Sequence, residues 1–252
     1  MIHHLENLPT LLYLLLVAAT LITSFISGVL SMAGGMILMG IFGFFLSVPA
    51  AMVLHGVAQA VSNGSRIWLY RDHIRWSVLI PYGFGALIIL GLFIAITFVP
   101  DKAIVFILIG VFPFMALCIP KSIDLDMERK PVAVLCGLLV TTAQMLAGAS
   151  GPVLDLFYVK SSLNRHEILG TKAITQTFGH ILKLSYYSFL LTSITELSPF
   201  IFLAVVAAAI FGNWLGSLIV NRINDKTFKA AGRIIMLVIG AIYIGKGVFE
   251  LV

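Results

Sequence analysis

Two runs of polar residues with the same spacing lie inside apolar stretches of the sequence. Members of each run fall at positions i, i+4, i+8 and i+11, which places them on one face of a helix. The runs are His55, Gln59, Asn63 and Arg66, and Lys172, Gln176, His180 and Lys183, with Thr171 and Thr175 beside the second run. Amides, imidazoles and cations grouped in this way predict a site for a small oxyanion such as sulfite, a sulfonate or a carboxylate.

Each polar residue alone also has a simpler interpretation. Arg66 and Lys183 could extend to the membrane surfaces, and either His55 or His180 could be a hydrogen-bonded core residue. Repetition of the pattern in two parts of the chain favours a shared site. Histidines could also change charge near neutral pH, which makes a proton a candidate coupling ion.

Two clusters of small residues interrupt the apolar stretches. Their candidate site residues are Ser31, Gly34 and Gly35 in the first cluster, and Ser150 and Gly151 in the second. Unwound backbone at membrane depth must be buried in protein or line a wet cavity, and its free amides can bind an anion. Close helix packing by small residues is the alternative. Two clusters at corresponding positions favour the binding interpretation.

The elements that carry these residues are membrane helices. Hydrophobic residues make up 60% of the 252-residue chain and charged residues only 11%, and the mean hydropathy is +1.07. A soluble domain has about 25% charged residues, so the composition excludes a cytosolic enzyme, a nucleic-acid-binding module and a disordered regulator. Long apolar stretches indicate an all-α polytopic membrane protein.

Eight apolar segments are predicted along the chain. They cover residues 9–47, 49–70, 74–98, 102–119, 131–160, 166–191, 198–220 and 228–251. Most are about 20 to 25 residues long, enough to cross ~30 Å of hydrocarbon. The longer segments 9–47 and 131–160 contain the glycine clusters and are predicted to be broken or re-entrant hairpins, although pairs of full spans or kinked single helices are alternatives.

The two halves of the chain resemble each other. A shift of 117 residues places Gln59 on Gln176 and Asn63 on His180. We therefore predict a first transmembrane repeat over 1–119, a cytoplasmic connector over 120–130 and a second repeat over 131–252. Each repeat has a hairpin followed by three transmembrane helices.

Basic residues predict that the repeats have opposite orientations. The loop around Arg71 and Arg75 is basic, whereas its counterpart at 192–198 contains no lysine or arginine. Because cytoplasmic loops are enriched in these residues, equivalent loops should lie on opposite sides of the membrane. The best arrangement leaves only the loop cations Lys102 and Lys246 outside, together with both termini.

No enzyme signature is complete in this sequence. His166 and Glu167 lack the second histidine of the HExxH motif, and neither a Walker motif nor a GxGxxG fingerprint is present. Asp155 is the main carboxylate available at membrane depth to pair with the buried cations. We expect no catalytic residue, metal, cofactor or nucleic-acid partner.

The motifs resemble those of the sulfite exporter TauE/SafE family of membrane transporters, also called TSUP or DUF81. Resemblance covers nearly the whole chain and rests on the runs 27–35, 54–66, 148–155 and 171–176. It implies transport of sulfite, thiosulfate, sulfoacetate or related organosulfonates across the bacterial inner membrane without ATP. One departure is Ala149-Ser150, which stands where the family has a richer glycine run.

Together these observations predict a secondary transporter that exports its substrate and works by alternating access. An uptake carrier or channel for another small anion, such as a carboxylate, uses the same residues and remains open. An intramembrane metalloenzyme using His55, His180 and Asp155 is a further alternative, and a non-transporting scaffold is the last.

Overall fold

The computed structural model of the protein describes residues 10–30, 33–118, 123, 125–158, 161–190, 197–220 and 225–251. Within these ranges the chain is helical and contains no β-strand. The helices are α1 Thr10–Leu30, α2 Gly34–Phe45, α3 Val48–Tyr70, α4 Trp76–Ile96, α5 Lys102–Cys118, α6 Lys130–Ala147, α7 Gly151–Leu156, α8 Arg165–Leu190, α9 Pro199–Val220 and α10 Asp225–Phe249. A short 3-10 turn, Arg71–His73, joins α3 to α4.

Five helical segments of the described chain are long and apolar enough to cross a membrane. They are Thr10–Val29, Trp76–Ile96, Lys130–Ala147, Pro199–Ile219 and Gly232–Phe249. Helices α3 and α8 are also long, with 23 and 26 residues, but they carry the polar runs. The protein is therefore an all-α, multi-pass membrane protein.

Both predicted breaks are present. Helix α1 ends at Leu30 and α2 begins at Gly34, after Ala33 with a φ of 66°. The start of α2 lies against the end of α1, since Gly34 faces Thr23 and Ser27. Further along, apolar residues between 15 and 26 on α1 and between 37 and 45 on α2 line one groove, so α2 packs alongside α1. Ser31 and Met32 lie outside the described residues.

The second break follows α6 at Gly148, which has a φ of 74° and caps the helix in the left-handed conformation. Such a conformation is open to glycine and strained for most other residues. The six-residue helix α7 follows. The residue after it, Phe157, returns to the segment that precedes α6, where its carbonyl oxygen accepts a hydrogen bond from the Met127 amide over 3.1 Å. Segment 131–160 thus contains two helices of unequal length.

Helices of one half pack mainly against helices of the other. The main pairs are α1 with α9, α4 with α6, α3 with α8 and α5 with α10. Small residues permit this close approach, and the backbones of Gly28 on α1 and Gly216 on α9 touch each other.

Two of the helix pairs formed between the halves, α3 with α8 and α5 with α10, cross in an antiparallel direction. On α3 and α8, Gly56 faces Lys183 whereas Gly170 faces Tyr70. On α5 and α10, Gly110 faces Gly240 whereas Gly247 faces Ala103. The crossing of α3 and α8 places the two polar runs against each other near the breaks.

Local sequence explains where the polar helix α3 begins. The Ser47 side chain accepts a hydrogen bond from the Ala50 amide over 3.4 Å. Pro49 lies in the first turn, where its missing N–H removes no helical hydrogen bond. The cap thus sets the start of α3, and packing of α3 against α8 buries His55 and Gln59.

Candidate functional site

The polar runs meet at a small cavity between the two breaks. Its volume is about 30 Å³, which is more than the roughly 10–15 Å³ that one ordered water molecule requires on the same measure. Both halves contribute to its lining, which consists of Ser27, Ala33, Gly35, Met36, His55, Gln59, Arg66, Ala149, Ser150, Gly151, Pro152, Gln176 and His180. Eight of the predicted site residues line this cavity: Gly35, His55, Gln59, Arg66, Ser150, Gly151, Gln176 and His180.

Two glutamine–glycine pairs give the cavity an internal symmetry. A Cβ placed on Gly35 would lie 3.0 Å from Gln59 Oε1, and one placed on Gly151 would lie 3.6 Å from Gln176 Nε2. The glycines lie in the first turns of α2 and α7, while the glutamines are each the twelfth residue of their helix, α3 or α8. Gln59 Nε2 is buried and has no hydrogen-bond partner among the described residues, so this amide donor is available to an occupant of the cavity.

Lys183 forms the side of the site at the second break. Its Nζ donates to the Gly148 carbonyl oxygen over 2.8 Å and lies 2.8 Å from His55 Nδ1. His55 Nε2 in turn lies 2.8 Å from the Gly35 carbonyl oxygen. These hydrogen bonds connect the two breaks through one lysine and one histidine.

Gln144 on α6 completes the network, although the sequence analysis did not select it. Its Nε2 lies 2.7 Å from His180 Nδ1 and 3.3 Å from the Gly148 carbonyl oxygen, and its Oε1 accepts from Ser150 Oγ over 2.5 Å. An amide side chain inside the apolar segment 131–160 was the available signal, because such a group needs partners in a membrane.

Lys172 binds Asp155 and does not line the cavity. The two side chains form a salt bridge between α8 and α7, with 4% of the lysine side chain and 23% of the aspartate side chain exposed. This pair confirms the expectation that Asp155 pairs with a buried cation. The charge of Arg66 also interacts with Asp155, so one carboxylate serves two cations.

The remaining predicted residues surround the cavity without lining it. Asn63 donates to the Gln59 carbonyl oxygen over 2.8 Å and accepts a hydrogen bond from Arg66. Thr175 donates to the Thr171 carbonyl oxygen over 2.9 Å, and Thr171 Oγ1 accepts from the Arg75 amide over 3.0 Å.

Gly34 belongs to the packing of the first hairpin. It lies against Thr23 and Ser27 on α1, where a methyl group would overlap the helix. Ser31 lies outside the described residues, so the structure does not place it.

The chemistry of the site is donation of hydrogen bonds and attraction of negative charge. Three cations, Arg66, Lys172 and Lys183, are at most 5% exposed, and Asp155 is the carboxylate that pairs with Lys172. In the part of the chain that the structure describes, no three histidine, cysteine, aspartate or glutamate side chains come together as metal ligands.

Comparison with known proteins agrees with the motifs and the fold. The family model described as sulfite exporter TauE/SafE matches residues 16–243, nearly the whole chain. Neither the curated proteins nor the solved structures give a significant match. The family match extends over both breaks and both polar helices, and the chain therefore belongs to the sulfite exporter TauE/SafE family of membrane transporters.

Proposed function

We propose that this protein is a secondary transporter that exports small sulfur-containing anions, such as sulfite or organosulfonates, across the bacterial inner membrane. The observation that carries the proposal is the cavity at the crossing of α3 and α8, to which both halves contribute a glutamine and a glycine. A pocket shared by two halves, next to broken helices, is the site that transporters with repeated halves use.

The balance of charge supports an anionic substrate. Arg66, Lys172 and Lys183 are buried near the cavity, whereas Asp155 is the acidic side chain that interacts with two of them. Burying a cation in a membrane is costly unless a counter-charge or polar partner offsets the loss of water. An entering anion would supply the negative charge that the protein provides only in part.

Within this proposal, the cavity-lining groups contact the anion directly. Gln59 and Gln176 donate from opposite halves, Ser150 and Arg66 add a hydroxyl and a guanidinium, and His55 and His180 lie beside them. The other predicted residues are not among the described residues that line the cavity, and in this proposal they position the lining groups or add charge to the site. They are Ser31, Gly34, Asn63, Thr171, Lys172, Thr175 and Lys183.

The antiparallel crossings support an inverted repeat. If residues 1–119 and 131–252 are copies of opposite orientation, corresponding helices must run in opposite directions, as α3 and α8 do. Two equivalent, oppositely oriented hairpins would let the cavity open to each side in turn. With basic loops inside, both termini lie on the periplasmic side.

Purified protein in proteoliposomes provides the test. Release of radiolabelled sulfite is compared with release of methanesulfonate and of acetate, without ATP. We expect sulfite or methanesulfonate to leave several-fold faster than from protein-free vesicles. Preference for acetate would identify a carboxylate carrier, and equal rates with and without protein would refute transport of these anions.

Substitution of Gln176 tests the cavity. Removing one hydrogen bond to an anion costs about 1.5–3 kcal/mol, so Gln176→Ala should reduce flux by about 10- to 100-fold. Thr177→Ala is the matched control, because the Thr177 hydroxyl bonds within its own helix to the Ala173 carbonyl oxygen over 2.7 Å. Wild-type flux in Gln176→Ala would refute the role of this residue.

A further inference from the structure

Lys183 has an unusual environment for an amine in the middle of a membrane protein. Its exposed fraction is 0%, and it forms no salt bridge with a described residue. Its Nζ has two polar neighbours, His55 Nδ1 and the Gly148 carbonyl oxygen, each at 2.8 Å. Both neighbours are uncharged acceptors when His55 is neutral.

The hydrogen bonds determine where the protons lie in this network. The Gly35 carbonyl can only accept, so His55 Nε2 must carry the hydrogen of that 2.8 Å bond. In neutral His55 the other nitrogen, Nδ1, then accepts from Lys183. A neutral amine has two N–H groups, which these two acceptors satisfy, whereas an ammonium has three.

Neighbouring charges also favour an uncharged amine while the cavity is empty. The ionisable groups near the cavity include His55 and Arg66 on α3, Tyr82 on α4, Cys136 on α6, Asp155 on α7, and Lys172, His180, Tyr186 and Tyr187 on α8 itself. Tyr70 and Glu167 lie at the far end of the α3–α8 pair, where Glu167 binds Arg75. The acidic side chain Asp155 is held by Lys172. An ammonium at Lys183 would add a cation to this group, with its third N–H unsatisfied among the described residues.

We infer that Lys183 is a proton-binding site that couples proton movement to anion transport. This inference rests on the proposed transport function. When the anion enters, the Lys183 amine takes one proton from water on the side of entry and becomes an ammonium, whose positive charge offsets the charge of the anion. When the anion leaves, the ammonium returns that proton to water on the same side, and the two original hydrogen bonds remain.

One proton then accompanies each anion, so export requires an outward anion gradient that exceeds the inward proton gradient. Lys183 carries a charge only while the cavity holds its counter-charge. The Gly148 carbonyl orients the amine at the second break, and His55 connects it to the first break. Proton binding is thereby linked to both hairpins, which border the cavity.

Solid-state NMR of the full-length protein in lipid bilayers tests the protonation state without a substrate. Lysine Nζ is labelled with ¹⁵N, because amine and ammonium nitrogens resonate at distinct positions. We expect one amine signal at pH 7.5, lost in both Lys183→Met and Lys183→Arg, and retained in the control Lys246→Met. If all lysine signals of the empty protein are ammonium, the inference is overturned.

Proteoliposome flux tests the coupling. Methanesulfonate is the probe because its sulfonate group stays ionised over the pH range used, and a trapped dye reports the internal pH. For one proton per anion, a gradient of one pH unit should drive about tenfold accumulation. Lys183→Met should remove this pH response, whereas Lys246→Met should retain it.

The outcomes separate the two proposals. Transport that ignores the pH gradient in the wild-type protein refutes the coupling but leaves the transport function intact. Absence of any anion flux refutes the transport function and the coupling with it, while the NMR signal still decides the protonation state of Lys183.

Discussion

The Asp155–Lys172 pair allows stability and transport to be separated by a double-mutant cycle. The variants are Asp155→Asn, Lys172→Met and the double variant. Breaking a buried ion pair by removing one partner costs about 3–5 kcal/mol, because the other charge stays buried. Asp155 retains 23% of its side-chain exposure, so we expect the lower end, about 3 kcal/mol.

The magnitude converts into a measurable loss of thermal stability. For a chain of about this size, 1 kcal/mol corresponds to roughly 2–4 °C in Tm, so Asp155→Asn should lower Tm by about 6–12 °C. Lys172→Met should cost less, because Arg66 remains near Asp155 as a counter-charge. The double variant removes both charges of the pair and should recover part of the loss, because Arg66 still lacks the Asp155 charge.

Thermal unfolding in detergent, followed by intrinsic fluorescence, gives the three Tm values, and proteoliposome flux gives the activity. We expect the double variant to be more stable than Asp155→Asn while its anion flux remains at least tenfold reduced, because the Lys172 charge is absent. Additive losses of Tm, with no recovery in the double variant, would refute the ion pair. Wild-type flux in Lys172→Met would refute its role in transport.

Two further predictions concern packing and the polar network. Gly40→Ala places a methyl group that overlaps the hydroxyl end of the Tyr243 ring and should cost about 1–3 kcal/mol, measured as a lower Tm. Gly245→Ala is the control, because this glycine has open space around it and the substitution should not destabilise the protein. Gln144→Leu removes the 2.7 Å contact to His180 and should reduce flux about tenfold with the protein still inserted; flux at the wild-type level would show that this amide is dispensable.

Hydropathy and residue spacing predicted most of the fold. Apolar length placed the helices to within a few residues, and the clusters at Gly34 and Gly148 marked the breaks. Periodicity predicted that His55 and Gln59 share one face of α3, and both line the cavity. These features are local, so short stretches of sequence contain the information for them.

The contacts across the cavity could not be predicted in the same way. Spacing gives the face of a helix but not the register at which it crosses another, so the pairing of His55 with Lys183 was not predictable. By spacing, Lys172 is equivalent to the other members of its polar run. In the structure, Asp155 on the short helix α7 holds it outside the cavity. Gln144 repeats no pattern, and only its partners reveal its role.

The pairing of α1 with α9 has a consequence for biogenesis. Helix α1 is synthesised long before its partner α9, which begins only at Pro199, so α1 lacks this partner while the helices between them are inserted. During this delay, Thr20 and Thr23 can satisfy their hydroxyls within α1, through bonds of 2.8 and 2.7 Å to the Leu16 and Ala19 carbonyl oxygens. Premature release from the insertion machinery would leave the Gly28 surface exposed to lipid, where it could associate with the wrong helix.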